Sequence, residues 1–162
     1  RLRTYKKMGY QICQNLASEK QQANSIFDSE TYKAVFEKDL AEAKREIVIS
    51  SPGLNAPKVK AFIKQVKIIQ ENGVQIRVLT LSSERYPASR TEITRKLVRE
   101  LEQTGIRVLL QGVLHEHYAL IDHEIVWYGS MNFLSAEKED DNLMRVVSEE
   151  IAEDLMGNRR VY

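Results

Sequence analysis

The chain has 162 residues, of which 43% are hydrophobic and 29% charged, and this composition predicts one folded domain and excludes a disordered chain. The formal net charge is only +1, so a nucleic-acid partner must be held by a local basic patch rather than by the field of the whole protein. No apolar run approaches the roughly 20 residues of a membrane span, and Cys13 is the only cysteine, so we expect a cytoplasmic protein with no internal disulfide and no membrane partner.

Residues 1–27 form a polar, weakly patterned segment, which we interpret as a lead-in to the domain. Helix is the one secondary structure that its pattern suggests. The chain begins RLRTYKK without a methionine, which favours a domain cut from a larger protein. The stronger patterns begin at Asp28 and predict a single domain over residues 28–162.

From Asp28 onward, helical and strand patterns alternate three times. A first helix with a cap at Asp28 or Ser29 leads into a strand at 46–51. The later elements are a helix at 59–71 ended by Asn72-Gly73, a strand at 74–81, a helix at 91–103 ended by Gly105 and a strand at 106–111. This alternation predicts an α/β domain with a mixed, largely parallel sheet flanked by helices.

The last third of the chain has a different pattern. HYALID and EIVWYG are separated only by the corner His123-Glu124, and they predict an antiparallel hairpin over 115–121 and 124–129. A polar segment then leads to a strand at 143–147 and a closing helix at 149–158.

The hairpin carries all three histidines of the chain. Alternate residues of a strand share a face, so His115 and His117 are expected to point the same way. The returning strand ends in Gly129-Ser130-Met131-Asn132, and the hairpin brings this segment beside the two histidines. The pattern predicts imidazoles, a hydroxyl and a carboxamide around one point, beyond strand ends where open α/β sheets bind ligands.

Three interpretations of the histidines remain open on the residues alone. They are ordinary strand residues, or His115 and His117 are metal ligands, or one of them is a nucleophile for phosphoryl transfer. The metal-site interpretation has weaker support than phosphoryl transfer. Asp122 faces the other way, and a strand carries His123 roughly 20 Å beyond His117. For phosphoryl transfer, Ser130 and Asn132 are suitable donors to phosphate oxygens.

The spacing of these residues resembles the signature of the phospholipase D superfamily: HxK, four residues, Asp, six residues, GSxN. Here His115-Glu116-His117 precedes YALI, Asp122, HEIVWY and Gly129-Ser130-Met131-Asn132, and five of the six fixed positions match. The wording EIVWYGSMNFLS is most similar to the phospholipase D-like domains of bacterial helicases and related nucleases. The one departure is that His117 replaces the lysine of the signature. A lysine is a permanent cation, whereas an ordinary imidazole is mostly neutral at pH 7.

The resemblance implies roles for the site residues. His115 would be the nucleophile, Ser130 and Asn132 would contact phosphate with His117, and Asp122 and Gly129 would be structural. Family members also orient the nucleophile with an acidic residue shortly after GSxN. Asp141 is the candidate for that role, with Glu139 and Asp140 as alternatives.

The resemblance also implies an assembly and a substrate. Superfamily active sites use two motifs, and because this chain has one, a homodimer is expected to supply the second. Single-motif members are typically nucleases that need no metal, so we expect a metal-independent, cofactor-free nuclease acting on DNA rather than RNA. The alternative is a catalytically weakened nucleic-acid-binding or dimerisation module of a helicase-type protein. Lipid hydrolysis lacks support, since no amphipathic membrane-facing stretch is evident.

Two further groups carry weaker signals. One helical face carries Lys58, Lys60, Lys64 and Lys67, which we interpret mainly as solubilising residues. The loop residues Arg85, Tyr86 and Arg90 are candidates for the rim of the site, with Tyr86 stacking on a base. Trp127 and Tyr128 are predicted to be packing residues.

Overall fold

A single sheet with helices on both faces makes up the described part of the chain, residues 25–157 of a computed structural model. The strands are β1 (Ser25–Asp28), β2 (Glu46–Ser50), β3 (Gln75–Leu81), β4 (Arg107–Gln111), β5 (His117–Ile121), β6 (Ile125–Gly129) and β7 (Asn142–Val147). The helices are α1 (Tyr32–Ala41), α2 (Ala56–Glu71), α3 (Ala88–Gln103) and α4 (Glu149–Gly157), with a 3₁₀ turn at Ser83–Arg85. Across these residues, no helix is both long enough and apolar enough to cross a membrane.

The strand order across the sheet is β1-β7-β6-β5-β2-β3-β4. The predicted mixed α/β sheet is confirmed, and the six predicted strands are all present within two residues of their expected ends. Parallel pairing is confined to β2-β3 and β3-β4, whereas the other four neighbouring pairs are antiparallel. The sheet is therefore less parallel than predicted, because after β4 the chain returns to the other side of β2 and continues as hairpins.

Strand β1 was not predicted from the sequence. Residues 25–27, which the sequence analysis placed in the lead-in, join Asp28 in a strand that pairs antiparallel with β7. The remaining lead-in, residues 1–24, and the helix suggested for it lie outside the described residues. The division into a lead-in and a domain therefore stays a prediction.

Local chemistry explains the ends of α2 and α3. The side-chain oxygen of Asn55 caps α2 by accepting a hydrogen bond of 3.0 Å from the N–H of Lys58. Each helix is followed by a glycine with positive φ, 88° at Gly73 and 89° at Gly105, as the sequence predicted. Both helices begin three residues earlier than expected, at Ala56 and Ala88. For α2 the reason is that a proline, Pro57, is tolerated in a first helical turn.

The core has one cluster on each face of the sheet. Helices α1, α2 and α3 cover one face, where Ala119 and Ile121 of β5 are buried. Helix α4 covers the other face, where Tyr118 and Leu120 are buried. The alternation predicted for β5 is confirmed, and it assigns His117 to the face of Ala119 and Ile121.

A buried ion pair ties α1 to the last two strands. Arg145 of β7 donates two hydrogen bonds to the Asp39 carboxylate, from Nε at 2.7 Å and from Nη2 at 2.9 Å. The indole N–H of Trp127 donates to the same carboxylate at 2.8 Å. Trp127 is fully buried, which confirms its predicted packing role. Because Asp39 is held by three donors, its burial is compensated, and removing one partner would leave an uncompensated charge.

The β5–β6 hairpin turns at Asp122 and His123, both with φ of 55°. Two successive positive φ angles are typical of the type I′ turn, and three residues, 122–124, separate the register partners Ile121 and Ile125. The corner lies one residue earlier than predicted. The Asp122 carboxylate accepts hydrogen bonds from the backbone N–H groups of Lys44 (2.9 Å), Arg45 (2.7 Å) and Glu46 (3.0 Å). Burial by itself raises the pKa of Asp122, but these backbone donors outweigh it and the pKa lies below its ordinary value.

We predict that Asp122 contributes stability that depends on pH. Because its folded-state pKa is lowered, the stability is fully present above the unfolded pKa and is lost as the pH falls through the folded pKa. Asp122→Asn keeps the residue's tolerance of positive φ but removes the charge, and should lower the free energy of unfolding by about 1–3 kcal/mol near neutral pH. Urea unfolding near pH 7 and near pH 3 measures this, and the difference between the two proteins should shrink at the acidic pH. An equal difference at both pH values would contradict the assignment.

Candidate active site

The two halves of the motif meet at one end of the β5–β6 ladder. His117 is the register partner of Gly129, so the ladder ends there on both strands. His115 precedes β5, and Ser130 to Asn132 follow β6. The strand ends where the sequence predicted the site are therefore adjacent in the structure.

Gly129 is required by the close approach of β6 to β7. A Cβ atom at this position would lie 2.1 Å from the carbonyl oxygen of Asn142 and 2.9 Å from the Cα atom of Leu143. Both neighbours are backbone, so no flexible side chain can give way. The glycine of the motif is thus explained by packing, and any side chain here would separate β6 from β7.

The ring of His117 is held by the backbone after β6. Its Nδ1 atom lies 2.8 Å from the carbonyl oxygen of Ser130. A carbonyl oxygen only accepts hydrogen bonds, so Nδ1 must carry the proton in this contact. In the neutral ring Nε2 then has a lone pair and no hydrogen, and only the imidazolium form has a second N–H to donate.

The Ser130 hydroxyl lies in a network with the acidic segment. It donates to Oδ1 of Asp141 at 2.9 Å and accepts from the N–H of Asn142 at 3.1 Å. Oδ2 of Asp141 accepts from the N–H of Lys138 at 2.8 Å, and Asp141 is buried. The single hydroxyl proton of Ser130 is committed to Asp141, so a ligand would have to compete for it or donate to the hydroxyl oxygen.

Asn132 is oriented by the loop that follows β2. Its Oδ1 atom accepts a hydrogen bond of 3.2 Å from the N–H of Gly53 and lies 3.4 Å from the Ser51 hydroxyl. That hydroxyl has a shorter contact as a donor, 2.7 Å to the Gly53 carbonyl, and accepts from the N–H of Leu134 at 3.2 Å. With its oxygen engaged, Asn132 has its NH₂ group free of hydrogen bonds to residues 25–157, as a ligand donor must be.

His115 and the candidates for orienting it are less organised. The His115 side chain is exposed and makes no hydrogen bond within the described chain. Among the three acidic candidates, Glu139 and Asp140 are exposed, and Asp141 contacts Ser130 and Lys138 rather than His115. The orienting role of Asp141 therefore stays a prediction.

The contribution of the residues after β2 to the site was not predicted from the sequence. Ser51 and Gly53 are 81 and 79 positions from Asn132, and their contact with it was not expected. The available signal was SPG directly after a strand of the parallel half, because loops at the carboxyl ends of such strands form ligand sites.

A second unexpected contact set ties the segment after the motif to two helices. Lys58 and the Tyr32 hydroxyl both donate to the Glu137 carboxylate, the latter at 2.7 Å. Burial raises the pKa of Glu137, and the bonds from Lys58 and Tyr32 outweigh it, so the pKa is lowered. Lys58 is thus part of an ion pair, while the other helical lysines (Lys60, Lys64 and Lys67) are exposed.

Tyr86 lies in the loop that borders the site, but its hydroxyl is engaged. It donates to the carbonyl oxygen of Pro52, and burial raises its pKa. The Arg90 guanidinium lies 5.9 Å from the centre of its ring, and Arg85 donates to the Gly112 carbonyl at 2.7 Å. Tyr128 is partly exposed and stacks on Tyr118 with a centroid distance of 6.5 Å.

No cluster of three or more histidine, cysteine or acidic side chains within residues 25–157 could hold a metal ion. His123 lies at the opposite end of β5 from His117, where its Nε2 atom is 3.3 Å from the Glu46 carboxylate. The three histidines of the hairpin therefore do not converge.

Comparison with known proteins gave one family match and several structural matches. A family model described as "Cardiolipin synthase, PLD-like domain" matches residues 36–158. Comparison with curated protein sequences gave no significant match.

Three solved structures are similar in fold. Nuc from Salmonella typhimurium, a phospholipase D family member, is 18% identical with a TM-score of 0.66 over 83% of this chain and 90% of that one. NucT from Helicobacter pylori is 16% identical with a TM-score of 0.64 over 85% of this chain and 92% of that one. TrmBL2, an archaeal chromatin protein with a novel mode of DNA binding, is 12% identical with a TM-score of 0.58 over 99% of this chain and 59% of that one.

We predict that Gly129→Ala is strongly destabilising. The new methyl group meets the backbone of β7, and overpacking of this kind costs about 1–3 kcal/mol. Gly112→Ala is the matched control, because no atom lies within 4 Å of its added Cβ and its φ is not positive, so its effect should stay within about 0.5 kcal/mol. Urea unfolding of both variants measures the difference, and equal midpoints would refute the close approach.

Proposed function

The chain belongs to the phospholipase D-like family whose model spans most of it, and from that membership we propose a metal-independent phosphodiesterase that cleaves nucleic acid. The proposed substrate is DNA rather than RNA, and the proposed active unit is a homodimer. The similarity in fold to a chromatin protein described as DNA-binding supports DNA as the polymer.

One observation carries the proposal: the contact between His117 and the Ser130 carbonyl joins the two halves of the motif. Around it lie an exposed imidazole at His115 and an NH₂ group at Asn132 that makes no hydrogen bond to the described residues. These are the groups that phosphoryl transfer through nitrogen requires, namely a nucleophile and donors to the phosphate oxygens.

In the proposed reaction, a neutral His115 ring nitrogen attacks phosphorus, and the bond from phosphorus to the leaving oxygen breaks. A proton from the imidazolium of the second copy of His115 goes to that oxygen. Water then attacks the phosphohistidine, its proton returns to the second imidazole, and the phosphorus–nitrogen bond breaks. Asn132 and a protonated His117 would hold the phosphate oxygens, with Ser130 positioned by Asp141.

The reaction requires two such histidines, and the chain has one motif. A two-fold dimer in which both His115 side chains border one cleft would supply attack and protonation from opposite sides of phosphorus. The exposure of His115 supports this, because a histidine buried within one chain could not be shared.

A second candidate function is a non-catalytic nucleic-acid-binding module of a helicase-type protein. The observation that favours it is the same His117 contact. Because the neutral ring uses its one donor on Ser130, His117 then has none for phosphate, where a lysine would always have a charge.

The first test is hydrolysis of labelled single- and double-stranded DNA and RNA in EDTA. Because the proposed nucleophile is a side chain and no metal takes part, cleavage should persist in EDTA and should be lost in His115→Ala. His123→Ala, at the other end of the hairpin, is the control and should keep its activity. Activity that vanishes in EDTA and returns with zinc would contradict the mechanism, and intact binding without cleavage would favour the binding module.

The second test concerns the protonation of His117. Phosphate binding requires its imidazolium form, while attack requires a neutral His115, so the rate should pass through an optimum in pH. His117→Lys replaces this requirement with a permanent charge. It should raise the rate near pH 8 by about tenfold or more, since one oxyanion donor is worth about 10²–10³ in rate, and should move the optimum upward.

His117→Gln is the matched control for that experiment, because it offers a donor without a charge. Its pH–rate profile should lack the fall in rate that deprotonation of His117 causes. Its rate should remain below that of the lysine variant. A lysine variant no faster than the parent near pH 8, with an unchanged pH–rate profile, would show that His117 does not replace the lysine.

A further inference from the structure

A shallow groove lies at the β4 edge of the sheet, where β2 and β3 separate β4 from β5 of the proposed site. It has a volume of about 220 Å³ and is lined by Ser83, Arg95, Val98, Arg99 and Leu110, which we call the arginine groove. Ser83 follows β3 and Leu110 is near the end of β4, and the N–H of Ser82 donates to the Gln111 carbonyl at 2.8 Å. The carboxyl ends of β3 and β4 therefore form the base of the groove. The carboxyl end of β2 likewise forms one wall of the proposed site.

The lining surface is mostly apolar, and two arginine side chains border it. Leu110 is 49% exposed and belongs to β4, the strand at the edge of the sheet. Arg95 and Arg99 lie one helical turn apart on α3, about 6 Å along the axis, so both guanidinium groups reach the same side. Arg95 has one exposed ion pair with Glu92 at 3.2 Å, which is weak, and Arg99 has none within residues 25–157.

The loop between the arginine groove and the site connects the two directly. Tyr86 donates to the Pro52 carbonyl, and Pro52 lies between Ser51 and Gly53, which orient Asn132. At the other end of the loop, the Thr91 hydroxyl is 3.3 Å from the Ser83 carbonyl. A strand bound at Asn132 would therefore have to be several nucleotides long to pass Tyr86 and the ends of β2 and β3 and reach the groove.

We propose that the arginine groove is a subsite for a single-stranded nucleic acid whose scissile phosphate lies at the motif. Phosphates of the strand pair with Arg95 and Arg99, and an unpaired base lies on Leu110 against a guanidinium plane. Bases stack on arginine planes and on apolar side chains in this way, whereas a duplex keeps its base faces covered. A lipid fits less well, because one exposed leucine beside two arginines gives no channel for an acyl chain.

This inference rests on the proposed nucleic-acid substrate, and direct binding tests it. A fluorescein-labelled single-stranded DNA is titrated in EDTA against the full chain carrying His115→Ala, with anisotropy as the readout over a range of salt. Arg95→Gln and Arg99→Gln should each weaken binding about fivefold near 0.1 M salt. Each should also reduce the slope of log K against log salt by about 0.7.

Two variants serve as controls for charge. Lys44→Gln removes one exposed positive charge just before β2, at the end of the strands opposite to the proposed site, and should leave the slope unchanged. Arg99→Lys keeps the charge and should restore the slope but only part of the affinity, because it lacks the guanidinium plane. Binding that is equal in the arginine variants and the parent would overturn the proposal.

A third variant tests the base. Leu110→Ser should weaken binding of the single strand without changing its salt slope, and should leave binding of the matching duplex unchanged. Equal losses for strand and duplex would overturn the assignment of a base to Leu110. Urea unfolding of the variant separates a loss of the subsite from a loss of fold.

A comparison of a small and a long substrate distinguishes binding at the arginine groove from the proposed hydrolysis. With His115 intact, Arg99→Gln should leave kcat/KM for bis(p-nitrophenyl) phosphate unchanged, since that diester does not reach the groove, and should raise KM for the strand. Hydrolysis of neither substrate, with arginine-dependent binding retained, would end the proposed reaction and keep the subsite. A last outcome is arginine-dependent binding to vesicles of equal phosphatidylglycerol and phosphatidylcholine, without binding to the strand. That result would overturn the nucleic-acid subsite in favour of a lipid site.

Discussion

The carboxylate of Asp122 fixes the register on which the proposed site depends. It accepts hydrogen bonds from the backbone N–H groups of residues 44–46, which lead into β2, while the N–H of Asp122 donates to the Glu46 carbonyl at 2.8 Å. A slip of one residue would move every side chain of β5 to the other face, and both faces are buried by different clusters. The anchor is far from the proposed chemistry, yet it holds β5 against β2 and so places the start of β5 beside the carboxyl end of β2.

The proposed site lies where the parallel and antiparallel parts of the sheet meet. β2 pairs in parallel with β3 and antiparallel with β5, so its carboxyl end lies beside the start of β5. The Ser50 hydroxyl donates to the Glu116 carbonyl at 2.8 Å across this junction. The loop after β2 can then reach Asn132, while the far side of the motif is closed by β7 through Gly129. Neither part of the sheet would form the site alone, because each supplies only one wall.

Hydrogen bonding leaves the polar groups of the motif with unequal freedom. Ser130 and Asp141 satisfy each other and the backbone, which makes them a rigid support. Within residues 25–157, Asn132 has its oxygen fixed and its NH₂ group open, and His117 has one nitrogen fixed and one open. The open groups are the ones suited to a ligand, because fixing one end of a side chain reduces the entropy lost when the other end binds.

The sequence determined the features that act over short distances or through fixed spacing. These are the glycine ends of α2 and α3, the alternation in β5, the hairpin, and the approach of His117 to Ser130 that its motif spacing requires. The tertiary structure decided the pairing of β1 with β7, the antiparallel majority of the sheet, and the contact of Gly53 with Asn132 across 79 positions. It also decided that Asp141 binds Ser130, a contact that the spacing did not predict. The reason is that periodicity and turn chemistry act within a few residues of chain, whereas these contacts depend on how whole strands are ordered across the sheet.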